Sequence, residues 1–444
     1  MEKEIIIKLK EKFQTGQLLK LFKSMLQKAK KVGFLHLLSA NMLLQIAGFG
    51  GQIFLTRILS VEEIGKIKVL QSFLGIIILI AGLGINVAIL KLCSEKISDE
   101  EKDILFVNGF KFSIVISLFT TVTVVLLAFL GLLSENNEIN NAMKLYIVQV
   151  PFLVMNTFAI FYLQSQKRVH DMSKIQSKTK IMVIVVSTLS AYFFGLYGYV
   201  MGIVFSNIVA TVLCFSLLKD KLVKLKEIKV SKVYILKLLN ISGVSFVTNL
   251  MGQLVISLNI LLLSYMSKSS AEIGYYGIAQ LIITSMMIIP NTLNQIMIPY
   301  LSEKSDNEKE IKKILSSYQK RMRILIFSLF VATYFIVPAF MPVVFGEKYS
   351  NSIVYFRILL VGMVFWSLYS PKGITLVSIG KVDYNFYTSM CTFIINILLN
   401  IVLIIKFDVM GAALATMLTY FITIFFNNYF FKKALVKKYP TSRT

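Results

Sequence analysis

The residues of this chain that could do chemistry are mostly neutral amides set at helical spacing. Asn41, Gln45, Gln52 and Thr56 lie within about 60° of one another on a helix that turns about 100° per residue, so they form one polar stripe on an apolar segment. Ser242, Asn249 and Gln253 form a second stripe. Gln280, Thr284, Asn291 and Gln295 form a third, once a bend at Pro290 is allowed for. Two destinations suit such a stripe. Its amides bond neighbouring helices, at about 0.6–2 kcal/mol for each bond, or they face a water-filled cavity; an amide facing lipid without a partner is too costly. A single amide more often bonds a neighbouring helix, whereas matching stripes in two distant segments favour a shared cavity.

Cations are few within the apolar segments. Arg57, Lys91, Lys111, Arg357 and Lys372 stand in or beside them. Arg357 lies about two turns inside its segment, where a lone charge needs a partner, water or an anionic ligand. Lys91, Lys111 and Lys372 are expected to reach the interface along their apolar stems. No Asp or Glu stands near the middle of an apolar segment, Asp383 and Asp408 being at edges. That removes the usual intramembrane proton relay and the paired carboxylates of glycosyl chemistry. No GxxxxGK[ST] loop is present, which argues against ATP hydrolysis. Cys93, Cys214 and Cys391 lie apart and His36 and His170 stand alone, so neither a metal site nor a disulfide is expected and no cofactor is implied.

The elements that must position these residues cross a membrane. The chain has 444 residues, 56% hydrophobic and 16% charged, with a mean hydropathy of +0.73. Apolar runs of about 20 residues, the length needed to span about 30 Å of hydrocarbon, recur throughout, and only helices fit them. We expect an all-α polytopic membrane protein with twelve spans. They lie at about 35–56, 69–91, 104–132, 143–164, 179–195, 197–218, 235–265, 275–300, 321–345, 352–371, 383–405 and 408–431. Pro151, Pro290, Pro338 and Pro371 fall within or at the ends of spans and favour bends. The outside loops are short, the longest being roughly Leu133 to Ala142, which leaves no room for an external catalytic domain.

The net charge of +24 does not point to nucleic acid, because the basic residues occupy alternate loops. With both termini cytoplasmic, about 38 of the 47 Lys and Arg fall on the inside, as the positive-inside rule requires. The Lys-rich stretch 1–33 precedes the first apolar run, so no cleavable signal peptide is expected. It reads either as a basic amphipathic helix on an anionic membrane surface or as a cytosolic tail.

The chain also repeats itself. Glu63-Ile64-Gly65 returns as Glu272-Ile273-Gly274, Gln71 has its counterpart in Gln280, and Val200-Met201-Gly202 returns as Val409-Met410-Gly411, all at one offset. Two tandem halves follow. The expected organisation is a basic segment 1–33, a six-helix bundle 34–218, a basic linker 219–234, a second six-helix bundle 235–431 and a basic tail 432–444.

These residues carry a family likeness. The run Leu55-Thr56-Arg57-Ile58-Leu59-Ser60-Val61-Glu62-Glu63-Ile64-Gly65 resembles the start of bacterial polysaccharide flippases. These are the O-antigen and capsule repeat-unit translocases of the multidrug/oligosaccharidyl-lipid/polysaccharide exporter superfamily. Ala81-Gly82-Leu83-Gly84, Ile273-Gly274-Tyr275-Tyr276, Val344-Phe345-Gly346-Glu347-Lys348-Tyr349 and Gly411-Ala412-Ala413-Leu414-Ala415-Thr416 extend the likeness to nearly the whole chain. The resemblance implies two six-helix bundles around a central cavity that opens alternately to each side of the bacterial cytoplasmic membrane. It implies a cargo of oligosaccharide on undecaprenyl diphosphate, with membrane lipid and other polysaccharide-assembly proteins as partners, and leaves open a coupling ion. Candidate cavity residues are Asn41, Gln45, Gln52, Asn249, Gln253, Gln280, Asn291 and Gln295, with Arg57 and Arg357 for the diphosphate. The chain departs here from relatives that carry several arginines deep in the cavity.

Other readings compete. A drug or cation exporter of the same superfamily would share the architecture, but the missing intramembrane carboxylates count against ion coupling through them. A membrane glycan polymerase or glycosyltransferase would normally show a large outside loop or an acidic cluster, and neither is present. A non-transporting scaffold of a glycan-assembly complex is a further alternative.

Overall fold

With no water to satisfy its peptide groups, an apolar run inside a membrane must bond its own backbone, and the long apolar runs here are helical. The structure, a computed structural model, describes residues 47–267 and 269–440. The chain divides into Met1–Ala47 and Gly48–Thr444, and the second unit holds everything discussed below. The basic segment 1–33, Asn41 and Gln45 lie outside the described residues.

Helix α1 covers 47–58. It is followed by α2 (Val61–Gly82), α3 (Ile85–Cys93), α4 (Asp99–Phe129), α5 (Asn137–Tyr146), α6 (Val150–Ser165), α7 (Val169–Phe215) and α8 (Lys219–Glu227). The second half gives α9 (Lys232–Met266), α10 (Ser270–Met286), α11 (Ile288–Glu303), α12 (Glu308–Phe345), α13 (Ser352–Ser378) and α14 (Val382–Lys438). The stretch read as a linker thus contains a helix, α8. It is fastened to α4 by the Lys221–Asp103 ion pair and by the Ser231 N–H donating to Asn108 Oδ1 at 2.6 Å.

At about 1.5 Å per residue, α7 and α14 would be roughly twice as long as a membrane is thick. Each is broken once, α7 at Phe194 and Gly195 and α14 at Asp408, so each makes two crossings. The repeated Val-Met-Gly marks both elbows. A β-carbon on Gly202 would stand 3.0 Å from Ser187 Cα, and one on Gly411 2.1 Å from the Leu403 carbonyl oxygen. Only glycine lets the returning arm pack this closely.

Several helices begin earlier than the hydropathy does. The second span, expected from about 69, starts at Val61, and the ninth, expected from 321, starts at Glu308. The cause is capping ahead of the apolar run. Ser60 Oγ accepts from the Glu63 N–H at 3.2 Å while Glu63 Oε2 accepts from the Ser60 N–H at 2.9 Å, a reciprocal cap that fixes the first turn of α2. Pro151 follows a short 3-10 turn and Pro290 follows the break between α10 and α11, but Pro338 and Pro371 sit inside unbroken helices.

The apolar core is asymmetric along the membrane normal. At the end where α2 and α10 begin, one cluster joins both halves and includes Ile64, Leu70, Tyr146, Tyr199, Tyr276, Ile283, Phe345 and Phe356. At the opposite, basic end Cys93, Phe106, Phe158, Tyr162 and Phe215 of the first half pack with Leu238 of α9, and Leu301, Leu315, Leu376, Phe431 and Leu435 form another cluster in the second half.

Candidate functional site

Helix α11 presents three amides in just over one turn. Asn294 is buried, donating to Ser370 Oγ at 3.2 Å and accepting from the Tyr318 hydroxyl at 2.8 Å. It pins α11 to α13 and α12. That leaves Asn291 and Gln295 exposed on the wall of a cavity of about 340 Å³ between α11, α13 and α14. Trp366, Tyr369, Asn385 and Asn427 line the same cavity, and no charged residue does among the described residues. Asn385 is held in place by donating to the Gly373 carbonyl at 2.8 Å. Amides beside large aromatic faces offer directional bonds to hydroxyl groups and flat apolar surface to the C–H faces of a ring.

The other amides divide between the two uses expected of them. Asn249 is exposed and lines a smaller cavity of about 130 Å³ with Asn86, Ser113 and Thr157. Gln253 donates to Ser257 Oγ at 2.8 Å and lies over Gly75 of α2, where a β-carbon would be 2.3 Å from its Nε2. Gln280 joins helices, donating to the Ile256 carbonyl at 3.1 Å. Gln52 accepts from Lys68 Nζ at 2.9 Å.

The two arginines share no partner. Arg57 donates from Nε to the Val344 carbonyl at 3.0 Å and from Nη2 to the Val343 carbonyl, which caps the last turn of α12 across the junction of the halves. Lys348 reinforces this junction by donating to the Leu59 carbonyl at 2.6 Å. Burial, and then the nearby Arg57 charge, lower the affinity of the Lys348 ammonium for its proton, while Glu63 acts in the opposite sense. Arg357 is exposed, with its guanidinium carbon 5.0 Å from the centre of the Tyr334 ring, and it makes no ion pair among the described residues.

Sequence reasoning missed two polar groups. Because α2 starts at Val61, Lys66 and Lys68 are inside it. Lys66 pairs with Glu138 at 2.6 Å, whereas Lys68, only 7% exposed, has amide oxygens of Gln52 and Gln71 as its partners and its stem against Gly277. The second group is a seam between the arms of α14 and α9. Thr392 and Thr423 bond at 3.0 Å, Asn396 donates to Thr419 at 3.3 Å, and Asn400 donates to Asn259 at 2.8 Å. Asn259 in turn donates to Thr416 at 2.7 Å and to the Tyr276 hydroxyl at 3.1 Å. The seam left a signal in the sequence, the four-residue spacing of Thr388, Thr392, Asn396 and Asn400.

Comparison with known proteins gives the arrangement a context. The sequence model of a family described as polysaccharide biosynthesis protein matches residues 54–354. The capsular polysaccharide biosynthesis protein CapF of Staphylococcus aureus is 24% identical over 153 residues, a match covering 33% of this chain and 37% of that protein. Uncharacterized membrane protein MJ1068 of Methanocaldococcus jannaschii is 23% identical over 446 residues, covering 92% of this chain and 85% of its own. Among solved structures, an inward-facing multidrug resistance MATE family transporter of the MOP superfamily superposes with a TM-score of 0.75 at 14% identity, over 90% of this chain and 96% of that one. Lipid II flippase MurJ in its inward closed conformation gives 0.72 at 16%, over 92% and 93%. The fold is therefore that of these two-lobed, twelve-helix membrane proteins.

Proposed function

The chain belongs to the polysaccharide biosynthesis protein family, and on that premise we propose that it is a lipid-linked oligosaccharide flippase. It carries polysaccharide repeat units on undecaprenyl diphosphate across the bacterial cytoplasmic membrane by alternating access, with both termini cytoplasmic. The observation that carries this reading is the uncharged cavity of amides and aromatic rings where Asn291 and Gln295 meet Trp366 and Asn385. A glycan headgroup needs a sheltered polar path of this kind through about 30 Å of hydrocarbon, while its lipid tail stays in the bilayer.

Arg57 is the weaker candidate for the diphosphate, because its Nε and Nη2 donate to the carbonyls that end α12. Arg357 keeps that role, since a guanidinium stays charged when desolvated and offers paired donors to phosphate oxygens. A drug or cation exporter is the second reading, supported by the MATE-like fold. Among the described residues no carboxylate lines the cavity, which argues against a cationic cargo.

Deleting the gene tests the proposal. Lipid-linked repeat units should accumulate on the cytoplasmic face with their synthesis intact, and Arg357→Ala should impair export more than Arg357→Lys. Normal polysaccharide export by the deletion strain, with no second flippase present, would overturn the assignment.

A further inference from the structure

A third cavity, of about 560 Å³, opens at the basic end of the second half between the start of α12, the end of α13 and the end of α14. Its polar wall carries Lys312, Lys372 and Lys432, and among the described residues the single carboxylate that lines it is Glu308. Glu308 pairs with Lys312 at 2.6 Å. Lys372 and Lys432 face the same space from adjacent helices with no carboxylate paired to either among the described residues. Lys372 lies about 9 Å inside the end of α13 at helical rise, is half-buried, and donates to Asn428 Oδ1. Its ammonium stands 5.8 Å from the centre of the Phe431 ring. The remaining wall is apolar, with Leu315 and Leu435 continuing into the buried cluster of this half and Val436 exposed beside them.

We propose that this groove binds the phosphate headgroup of an anionic membrane lipid. Two like charges converge on a site partly withdrawn from water, and the ligand that balances them must bring negative charge to that depth. A phosphate carried on a lipid does so at the level where its headgroup already lies, with its tail against the apolar wall. A free phosphate would have to give up bulk water with no apolar contact in return. The site is distinct from the glycan cavity: Lys372 and Asn428 face this groove, whereas their neighbours Gly373 and Asn427 line the other. The inference holds whatever the cargo is.

The test uses the purified full-length protein in a neutral detergent. Binding of phosphatidylglycerol, of phosphatidylcholine and of sodium phosphate is followed by native mass spectrometry and by thermal stability. Lys432→Gln removes one exposed charge from the groove, and Lys433→Gln removes its exposed neighbour, which does not line it. We expect phosphatidylglycerol to bind selectively, with Lys432→Gln weakening it about fivefold, the share of one lysine near an anionic headgroup, and Lys433→Gln leaving it unchanged. Equal weakening by both variants would reduce the effect to diffuse surface charge and overturn the site. Equal binding of phosphatidylcholine, or equal stabilisation by sodium phosphate alone, would overturn it as well.

Discussion

Gly65 on α2 and Gly274 on α10 face each other where the two halves meet. A β-carbon on Gly65 would stand 3.0 Å from the Gly274 amide nitrogen and 1.9 Å from the Ser270 carbonyl oxygen, and one on Gly274 would stand 2.3 Å from the Val61 carbonyl oxygen. The two glycines are equivalent positions of the tandem repeat, so the halves are joined by the same element used twice. Close approach of two helix backbones needs small residues on both sides, and apolar contact alone does not hold helices together in lipid.

Replacing Gly65 with alanine should therefore destabilise the protein although the change is a single methyl group. The obstructing atom is backbone and cannot swing aside, so the loss should be at or above the range of about 1–3 kcal/mol for overpacking. Gly82→Ala, at a position with open space around it, is the control. Thermal unfolding of the purified variants reads the difference, and equal melting temperatures would refute the close crossing.

Arg57→Gln should lower stability by about 1.5–3 kcal/mol, the worth of charged hydrogen bonds, because it uncaps the end of α12. Its affinity for cargo should stay near that of the wild type. Reduced cargo affinity at unchanged stability would return Arg57 to the diphosphate site.

Cysteines at Asn291 and Gln295 should react in membranes with a small hydrophilic thiol reagent, since both line the open cavity. A cysteine at Asn294, on the same helix but 5% exposed, should not. If all three react alike, α11 is not oriented as described.

Asn400→Leu should cost about 0.6–2 kcal/mol, the value of an interhelical amide bond. Asn259→Leu should cost more, because Asn259 bonds to Asn400, Thr416 and Tyr276. Chemical denaturation of both variants would rank them, and the reverse order would show that the seam does not centre on Asn259.

Reporter fusions at Lys226 and after Thr444 should both report a cytoplasmic location. The prediction rests on the alternation of basic loops. A periplasmic signal at either site would reverse or break the proposed topology.

The sequence by itself determined the helices and their repetition. Membrane-length apolar runs leave the backbone no alternative to helix, and the repeated Glu-Ile-Gly and Val-Met-Gly mark places where backbones must approach, at the junction of the halves and at the elbows of α7 and α14. It also placed Asn291 and Gln295 on one face, because helical spacing alone decides that. Only the tertiary structure decided what each polar group meets. Arg57 caps a helix 286 residues away in the chain, Lys68 lies inside a span because a cap lengthened α2, and Asn259 meets both arms of α14. Periodicity fixes which residues share a face, but the rotation and crossing of each helix fix what that face meets. Those are set by the packing of small residues at contacts such as Gly65 and Gly274, between segments far apart in the sequence.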